Sequence, residues 1–363
     1  EENEIINIIN KSDLIIDALL GTGIKGDIKG IYAKLIDFIN NRKSNKAKVL
    51  AIDIPSGVDG LNGKIHSKAV EADFTVTMAF YKTGLLLYPG RKYCGQIDVV
   101  DLGMLKSSLE KIDYNNFLIN EKEAANLLPK RAVDGHKGSF GKVLVVGGSK
   151  TMSGAPSLAA RSALKSGAGL IKLAVPDSLS RFNFQDEIIT DYLSEEDGFL
   201  EINSFKRIKE LSKGVDVLAY GPGLGQSEDL TLITEKVVKY INKALVIDAD
   251  GINSLAKLDN LKLLKDRKYP LVLTPHPGEM ARLLNKSISD IKKNKVEISR
   301  EFALKYEVNL ILKGATTLIA LENGDVYFNT TGNSGLATAG SGDVLTGIIA
   351  SLIAQGLEVK KSA

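Results

Sequence analysis

The sequence contains no tryptophan, one cysteine and three histidines among its 363 residues. The cysteine, Cys94, has no second cysteine with which to form a disulfide within the chain, and such scarcity is typical of a reducing compartment. We therefore interpret Cys94 as a small buried apolar residue. The histidines His66, His136 and His276 lie far apart, and no cysteine or histidine spacing resembles that of a zinc site.

The net charge and the length of the apolar runs argue against a nucleic-acid-binding protein and against a membrane protein. Lys and Arg number 47 and Asp and Glu number 44, so the formal net charge is only +3. No basic tract alternates with aromatic residues, and nucleic-acid binding is therefore not indicated. No apolar run is long enough to span a bilayer, and no signal peptide is recognisable. These observations predict a cytoplasmic protein that binds neither nucleic acid nor a membrane.

Short apolar runs alternate with helical patterns in the first part of the chain, an order that predicts a parallel α/β sheet with crossover helices. The predicted elements are strands at 14–19, 48–53, about 73–79 and about 96–101, and a helix at about 30–41. A polar, irregular stretch follows at about 104–120. We place a domain boundary within it, which divides the chain into residues 1–110 and 111–363.

The same alternation begins again in the second part of the chain. Strands are predicted at 142–146, 170–175, 215–219, 244–248, 271–274, 309–312, 317–321 and 325–328, and helices at about 154–166 and from Ser341. Because the central strands are nearly all apolar, we expect helices on both faces of the sheet. Glycine-rich and polar motifs follow directly after strands, at the edge of an open α/β sheet where ligands bind.

The most informative motif is the glycine-rich segment 329–347. Gly340 and Gly342 allow a sharp turn that directs backbone N–H groups to one point, and the following helix adds the positive end of its dipole. This geometry suits a phosphate, and Asp343 in the first helical turn could accept the proton of a hydroxyl that attacks phosphorus. The alternative is that the glycines only form a turn and Asp343 only caps a helix.

Three more motifs follow strands in this half, and each also has a plain structural interpretation. Gly221–Gly225 brings backbone close to a ligand, or forms a tight loop. Pro275–Glu279 forms a rigid loop that directs His276, or the start of a capped helix. Lys313–Thr317 offers a cation and hydroxyls to the phosphates or sugar of a nucleotide, or is a solvated turn.

Two motifs in the first half also follow strands. Asp17–Asp27 is a glycine-rich strand-to-helix turn that can approach a pyrophosphate, or a plain connecting loop. Asp53–Gly60 ends the next strand. Oxygen atoms of Asp17 and Ser56 could hold a monovalent or hard cation, or could merely stabilise a turn through local hydrogen bonds.

Taken together, the motifs of the second half resemble the ADP/ATP-dependent NAD(P)H-hydrate dehydratase family. The matching segments, in the family's order, are His136–Ser149, Ser153–Ala155, Ser166–Gly169, Gly221–Gly225, Thr274–Glu279, Lys313–Gly314 and Gly332–Asp343. The resemblance covers about residues 130–355 and implies a ribokinase-like α/β fold. It also implies that nucleotide-dependent phosphorylation of the hydroxyl on the hydrated ring precedes loss of phosphate, with Mg²⁺ neutralising the phosphates.

The resemblance assigns a role to each matching position. Asp343 is implied to be the catalytic carboxylate next to the hydrated nicotinamide, and Ala155, Gly223 and His276 are implied to bind the hydrate with it. The implied nucleotide site, for ADP or ATP, comprises Lys313, Gly314, Ala315, Thr316, Thr317 and Gly342. The implied partner is therefore a small molecule, NAD(P)H hydrate.

The motifs of the first half, together with Phe80–Gly84 and Tyr88–Gly90, resemble part of the Rossmann-like NAD(P)H-hydrate epimerase domain. This resemblance implies that Asp17 and Ser56 bind K⁺. The implied contacts to the hydrate are Gly21, Thr22, Gly23, Ile24, Lys25, Gly26, Asp27 and Asp53. Lys82 is expected either near this site or on the surface.

The sequence departs from both families at its ends. The epimerase family has an Asn- and Gly-rich loop before the strand predicted at 14–19, whereas residues 1–13 contain none. The dehydratase family continues with further helices after the position of Ala363. We therefore expect a chain truncated at both ends, with epimerisation confined to the intact parent protein.

Two other functions fit part of the pattern. A ribokinase-like small-molecule kinase would share the anion site and Asp343, but the Pro275–Glu279 loop and the epimerase-like half favour the dehydratase. A non-catalytic nucleotide-binding protein would not need Asp343 or the complete anion loop. A homo-oligomer is compatible with an exposed sheet edge, although no feature of the sequence sets a symmetry.

Overall fold

The computed structural model describes residues 2–24, 26–43 and 47–362. The chain divides into two compact units, Glu1–Tyr114 and Asn115–Ala363. Within the described residues, no helix is both long and apolar enough to cross a lipid bilayer.

The first unit contains a four-stranded parallel sheet, as the alternation of strands and helices predicts. Its strands are β1 (Leu14–Asp17), β2 (Lys48–Ile52), β3 (Phe74–Met78) and β4 (Gln96–Val100), in the spatial order β1-β2-β3-β4. Its helices are α1 (Glu2–Lys11), α2 (Gly30–Lys43), α3 (Thr83–Leu86) and α4 (Lys106–Leu109), with a 3₁₀ turn at Gly90–Tyr93. Ile36 and Ile39 of α2 pack on Val49 and Ala51 of β2, and Cys94 is fully buried, as expected.

The opposite face of this sheet is apolar and largely exposed. Ile16, Phe74 and Met78 are 59%, 38% and 41% exposed, and Ile16 and Phe74 flank Leu50 on neighbouring strands. Parallel sheets are usually covered on both faces, so this unit departs from the usual pattern.

The second unit is built on a ten-stranded sheet with helices around it. Its strands are β5 (Asn116–Leu118), β6 (Lys142–Val146), β7 (Leu170–Pro176), β8 (Ile189–Leu193), β9 (Glu195–Glu196), β10 (Phe199–Leu200), β11 (Val217–Tyr220), β12 (Ala244–Ile247), β13 (Leu271–Leu273), β14 (Asn309–Leu312), β15 (Thr317–Ala320) and β16 (Val326–Asn329). Its helices are α5 (Glu121–Leu127), α6 (Gly154–Lys165), α7 (Ser204–Ser212), α8 (Glu228–Tyr240), α9 (Ala249–Leu255), α10 (Pro277–Leu284), α11 (Ile288–Lys293), α12 (Lys295–Tyr306), α13 (Ser341–Ala354) and α14 (Val359–Ser362). The spatial order in the large sheet is β5-β16-β15-β14-β13-β12-β11-β6-β7-β8, and β9 pairs with β10 separately.

The centre of the large sheet is parallel, from β14 through β13, β12, β11, β6 and β7 to β8. At one side the sheet is mixed, because β15 runs antiparallel to both β14 and β16. The connections 313–316 and 321–325 are too short for a crossover, so each strand must turn back beside its predecessor.

The stretch at about 104–120 was predicted to be irregular, and this was wrong in part. It contains α4 and the short strand β5, which pairs in parallel with β16 at the edge of the large sheet. β8, β9 and β10 were also missed. These strands have only two to five residues, which is too short for an alternating pattern to be recognised.

Helix α13 packs closely on α6 because Gly347 has no side chain. A Cβ at Gly347 would clash with the carbonyl oxygen of Ala159 and with Ser162 Oγ, both on α6. Ile349 and Ala350 of α13 are fully buried in the same core cluster as Ala159. The close contact between these helices holds the N-terminus of α13 against the edge of the sheet.

We expect Gly347→Ala to lower the free energy of unfolding by about 1–3 kcal/mol, because the added methyl group must push the two helices apart. Urea unfolding followed by circular dichroism measures the change. Gly154→Ala in α6 is the matched control, since a Cβ at Gly154 would meet no atom within 4 Å. Equal stability of the two variants would contradict this account of the packing.

Candidate active site

Three neighbouring parallel strands bring polar residues to one edge of the large sheet. Asp248 follows β12, His276 lies in the loop after β13, and Lys313 follows β14. Lys313 Nζ lies 2.7 Å from Asp248 Oδ1, and the two side chains are 21% and 2% exposed. A carboxylate this deeply buried requires a partner, and Lys313 supplies the opposite charge.

The same carboxylate contacts the N-terminal part of α13. Asp248 Oδ2 accepts a hydrogen bond from Thr346 Oγ1 at 2.9 Å, and Thr346 Oγ1 also lies 3.1 Å from the carbonyl oxygen of Gly342. A Cβ at Gly342 would lie 3.3 Å from Lys313 Nζ, so the backbone of α13 passes directly beside the ion pair. Asp248 therefore connects β14 and α13 through its two oxygens.

Asp343 lies in the first turn of α13, in the position that the sequence predicts. Burial raises the pKa of its carboxyl group to about 6, and the negative charges of Asp248 and Asp250 act in the same direction. The positive charge of Lys313 opposes this shift. At neutral pH, Asp343 is therefore mostly ionised but more basic than an ordinary aspartate, which suits a proton acceptor.

The N-terminus of α13 is arranged to receive an anion. Gly340 precedes the helix in a left-handed conformation (φ +88°), and a Cβ there would clash with Leu158. No side chain of the described residues caps the helix. Ser341 N donates to the Thr338 carbonyl oxygen and Val344 N to the Gly340 carbonyl oxygen, so among the described residues the N–H groups of Gly342 and Asp343, with the positive end of the helix dipole, can receive a phosphate.

His276 is the N-cap residue of α10 and is held by a capping box. Its Nδ1 accepts hydrogen bonds from the backbone N–H groups of Gly278 and Glu279, at 2.9 and 3.2 Å. The carbonyl oxygen of Pro275 accepts a hydrogen bond from the N–H of Lys313 at 2.9 Å. This hydrogen bond connects the loop that carries His276 to the C-terminal end of β14, where Lys313 lies.

The other two predicted hydrate-binding positions lie next to each other. A Cβ at Gly223 would come within 2.9 Å of the Ala155 side chain, at the N-terminus of α6. The Gly223 loop is tied to α9 by a hydrogen bond from Gly225 N to Asp250 Oδ2 at 2.8 Å. The loop after β11 and the start of α6 thus form one surface at the same edge of the sheet.

The predicted nucleotide positions 313–317 form a turn between β14 and β15. Thr317 Oγ1 donates to the Gly314 carbonyl oxygen at 3.2 Å, while Gly314 and Ala315 are exposed. Thr316 is only 2% exposed, so Gly314 and Ala315 are the accessible members of this segment.

In the first unit, the structure brings Asp17 and Ser56 together at the ends of β1 and β2. Ser56 donates from its hydroxyl to Asp17 Oδ1 at 2.6 Å and from its N–H to Asp17 Oδ2 at 2.8 Å. Leu20 N donates to Ser56 Oγ at 2.9 Å. Asp17 is 1% exposed, and among the described residues no lysine or arginine forms an ion pair with it.

Asp53 has a clear partner in Lys82. Burial alone would raise the pKa of Asp53, but hydrogen bonds from Lys82 Nζ, Met78 N and Thr77 Oγ1 outweigh it and lower the pKa. Of the two interpretations of Lys82, the structure favours a position beside Asp53. The predicted hydrate contacts at 21–24, 26 and 27 lie in the loop after β1, and Lys25 lies outside the described residues.

Sequence reasoning did not give a role to Asp248, Glu279 or Thr346. Asp248 is the last residue of the strand predicted at 244–248, and Glu279 is the last residue of the histidine motif. Both are at least 96% buried, and Thr346 is fully buried. The one available signal was the position of a polar residue at the end of an apolar strand. Such a residue is expected to be buried, and a buried polar group needs a hydrogen-bond or charge partner.

Comparison with protein families gives two matches. The sequence profile described as NAD(P)H-hydrate dehydratase matches residues 143–363. A second profile, described as YjeF-related protein N-terminus, matches residues 1–84. The two matches fall in the second and first units respectively.

Individual proteins agree with the family profiles. The bifunctional NAD(P)H-hydrate repair enzyme of Moorella thermoacetica is 41% identical over 350 residues, which are 96% of this chain and 65% of the relative. The chain thus spans about two thirds of that relative's length. An ADP/ATP-dependent NAD(P)H-hydrate dehydratase from Bacillus subtilis, co-crystallised with ATP/Mg²⁺, superposes with a TM-score of 0.57, at 30% identity and over 69% of this chain and 85% of that one.

A ribokinase-like superfamily protein from Enterococcus faecalis superposes with a TM-score of 0.55, at 25% identity, over 67% of this chain and 82% of that protein. These structural matches confirm the predicted ribokinase-like fold of the second unit.

Proposed function

The chain belongs to the NAD(P)H-hydrate dehydratase family and carries a YjeF-related N-terminal segment, and we propose that its second unit dehydrates NAD(P)H hydrate at the expense of ADP or ATP. The observation that carries this proposal is the position of Asp343. Its carboxylate, with a pKa raised to about 6, lies at an uncapped helix N-terminus beside the Asp248–Lys313 ion pair. A base, an anion site and a cation are thus adjacent.

In the proposed reaction, the hydroxyl oxygen of the hydrated ring attacks the terminal phosphorus of the nucleotide, and its proton passes to Asp343. The bond from that phosphorus to the bridging oxygen breaks, and the nucleotide leaves one phosphate shorter, as ADP from ATP or as AMP from ADP. The N–H groups of α13 and Lys313 hold the transferred phosphoryl group. Inorganic phosphate then leaves with the electron pair of the ring C–O bond, and loss of a ring proton restores the reduced nicotinamide. Phosphate is a far better leaving group than hydroxide, which is the reason to consume a nucleotide.

We assign Ala155, Gly223 and His276 to the hydrate, together with Asp343. Ala155 and Gly223 offer a small, close-packed surface, and His276 is held rigidly by α10. We assign Lys313–Thr317 and Gly342 to the nucleotide, since Gly342 lies beside Lys313 and the exposed turn follows it.

We propose Mg²⁺ as the ion that accompanies the nucleotide. Among the described residues, no group of three or more histidine, cysteine or acidic side chains could enclose a metal ion. This fits a Mg²⁺ that is held mainly by phosphate and water oxygens. When bound, Mg²⁺ neutralises charge on the phosphates.

The experiment that tests the dehydratase is the recovery of reduced-nicotinamide absorbance from purified NAD(P)H hydrate. We expect recovery only with Mg²⁺ and ADP or ATP present, with release of inorganic phosphate. A stable phosphorylated product without recovery would instead identify a small-molecule kinase. Comparing ADP with ATP and NADH hydrate with NADPH hydrate defines the preferred substrates.

For the intact protein, we propose epimerisation of the R and S hydrates by the YjeF-related domain, with K⁺ bound by Asp17 and Ser56. Both residues present hard oxygen atoms, and the Asp17 carboxylate is buried without a basic partner among the described residues. A buried anion of this kind is stabilised by a cation. The Gly21–Asp27 loop and Asp53 are assigned to the hydrate. The single cysteine leads us to place both activities in the cytoplasm.

We expect KCl to stabilise the protein against urea more than choline chloride does at the same ionic strength. At a tenfold excess of K⁺ over its Kd, the gain is about 1.4 kcal/mol. Asp17→Asn removes the charge that attracts the cation and should remove this difference. A gain that is equal in both salts, or unchanged by Asp17→Asn, would argue against the K⁺ site.

A further inference from the structure

A short stretch of chain, residues 152–158, connects the loop after β11 to the start of α13. Met152 lies at one end, where a Cβ at Gly223 would come within 3.1 Å of Met152 Cβ. Leu158 lies at the other end, where a Cβ at Gly340 would come within 2.5 Å of Leu158 Cδ1. Because Gly340 directly precedes α13, the stretch leads from the surface assigned to the hydrate to the helix N-terminus that can receive a phosphate.

Three apolar side chains follow this stretch at intervals of three residues, namely Met152, Ala155 and Leu158. Ala155 and Leu158 lie on the same side of α6, about 4.5 Å apart along its axis, because a helix rises about 1.5 Å per residue. A Cβ at Gly223 would come within 2.9 Å of the Ala155 side chain. Met152 and Leu158 are 37% and 36% exposed. We call Met152, Ala155 and Leu158 the apolar stripe.

The rest of α6 shows which of its residues hold the helix in place. Ala159 lies against Gly347 of α13, and Ala159, Ala160 and Ala163 are fully buried in the core. Leu158 is instead accessible, beside the start of α13. Single exposed apolar side chains are common, but a row of three between two ligand-binding loops forms a surface suited to an uncharged ring.

We propose that the apolar stripe is the contact surface for the hydrated nicotinamide ring, and that Leu158 is the substrate-contact residue at the end nearest Asp343. The proposal rests on the proposed function of the site. The hydrated ring is uncharged, and its carbon atoms gain free energy when they leave water for apolar side chains. A ring that lies along α6 from Ala155 to Leu158 reaches the first turn of α13, where Asp343 accepts the hydroxyl proton in the proposed reaction.

Methionine-methyl NMR of the whole chain tests this contact without turnover. The chain has only four methionines, and Met152→Leu assigns the signal of Met152. Purified hydrate is added to protein saturated with AMP, which has no phosphoanhydride bond to transfer. We expect a saturable shift of the Met152 signal. In Leu158→Met, the new fifth signal should shift as well, since methionine keeps an apolar side chain of similar volume.

Kinetics of Leu158→Asn provide the second readout, because asparagine resembles leucine in shape but is polar. We expect the KM for the hydrate to rise about tenfold, while the KM for the nucleotide stays within about twofold of the wild type. Leu158→Met should keep the KM for the hydrate within about twofold. Leu232→Asn is the matched control, since Leu232 is 47% exposed on α8 and is assigned to neither ligand, so both KM values should stay unchanged.

Two results would overturn the proposal while the dehydratase assignment stands. One is a Met152 signal that does not respond to a hydrate that the protein dehydrates, and the other is an unchanged KM for the hydrate in Leu158→Asn. Equal rises in both KM values would also overturn it, because they would show that Leu158 only supports Gly340 and α13. If the wild type shows no nucleotide-dependent recovery either, the proposed function fails together with this inference.

Discussion

Asp343→Asn should lower the kcat for nucleotide-dependent recovery of the reduced cofactor by about 10²–10⁴-fold. Asparagine has nearly the same shape as aspartate but cannot accept the hydroxyl proton at the moment of phosphoryl transfer. It keeps the first turn of α13 and the anion site formed by its N–H groups. Nucleotide binding, measured by calorimetry, should therefore remain while turnover is lost.

Asp290→Asn is the matched control for this variant. Asp290 is the third residue of α11, as Asp343 is the third residue of α13, but it is exposed, and its carboxylate accepts a hydrogen bond from Ser287 Oγ, the N-cap residue of α11. Its substitution should leave turnover within about twofold of the wild type. Full activity in Asp343→Asn, or equal losses in both variants, would exclude Asp343 as the proton acceptor.

The raised pKa of Asp343 also predicts the pH dependence of kcat. The carboxyl group accepts a proton only when it is ionised, so activity should be present above pH 6 and should decline as the pH falls through about 6. Determination of kcat between pH 5 and pH 9 measures this decline.

The second large effect concerns the ion pair of Asp248 and Lys313. Lys313→Met should lower the free energy of unfolding by about 3–5 kcal/mol, because it leaves a buried carboxylate without its counter-charge. Asp248→Asn should cost less, since the Lys313 side chain is 21% exposed and its ammonium group can be hydrated. Urea unfolding of both variants measures this asymmetry.

The exposed pair of Lys265 and Glu307 is the control for that comparison. Its N–O distance is also 2.7 Å, but its side chains are 54% and 53% exposed. Lys265→Met should leave the free energy of unfolding nearly unchanged, because surface ion pairs contribute little. If Lys313→Met also left the free energy of unfolding unchanged, burial of the Asp248–Lys313 pair would not contribute to stability in the way we propose.

Asp248→Asn and Lys313→Met should shift the acidic decline of kcat in opposite directions along the pH axis. Asp248 raises the pKa of Asp343, and Lys313 lowers it. Asp248→Asn should therefore shift the decline to lower pH, and Lys313→Met should shift it to higher pH. Shifts of the same sign in both variants would show that distortion of the site, and not the local charge, controls Asp343.

Most of the local structure around the site could be predicted from the sequence. β6, β11, β12, β13 and β14 are short, almost wholly apolar runs that end in glycine or polar residues, so their positions follow from the sequence within about two residues. The glycines before Ser341 likewise predicted an open helix N-terminus with Asp343 in its first turn. The roles assigned to individual residues remain predictions, since they rest on family resemblance and geometry.

Other features depend on which distant segments meet, and no local pattern encodes them. Strand β5 was missed because its three residues are stabilised by pairing with β16, more than 200 positions later. The Lys82–Asp53 pair likewise decided between two interpretations that the sequence left open.

By itself, the sequence determined the α/β class, the strand ends that carry the motifs and the place of Asp343, because each depends on periodicity and glycine content within a few residues. Only the tertiary structure decided the chemistry of those residues. Asp248 meets Lys313 from 65 positions away and Thr346 from 98 positions away, and Glu279 becomes basic because the fold buries it. Burial and the distances between charges set these properties, and both exist only once the chain has folded.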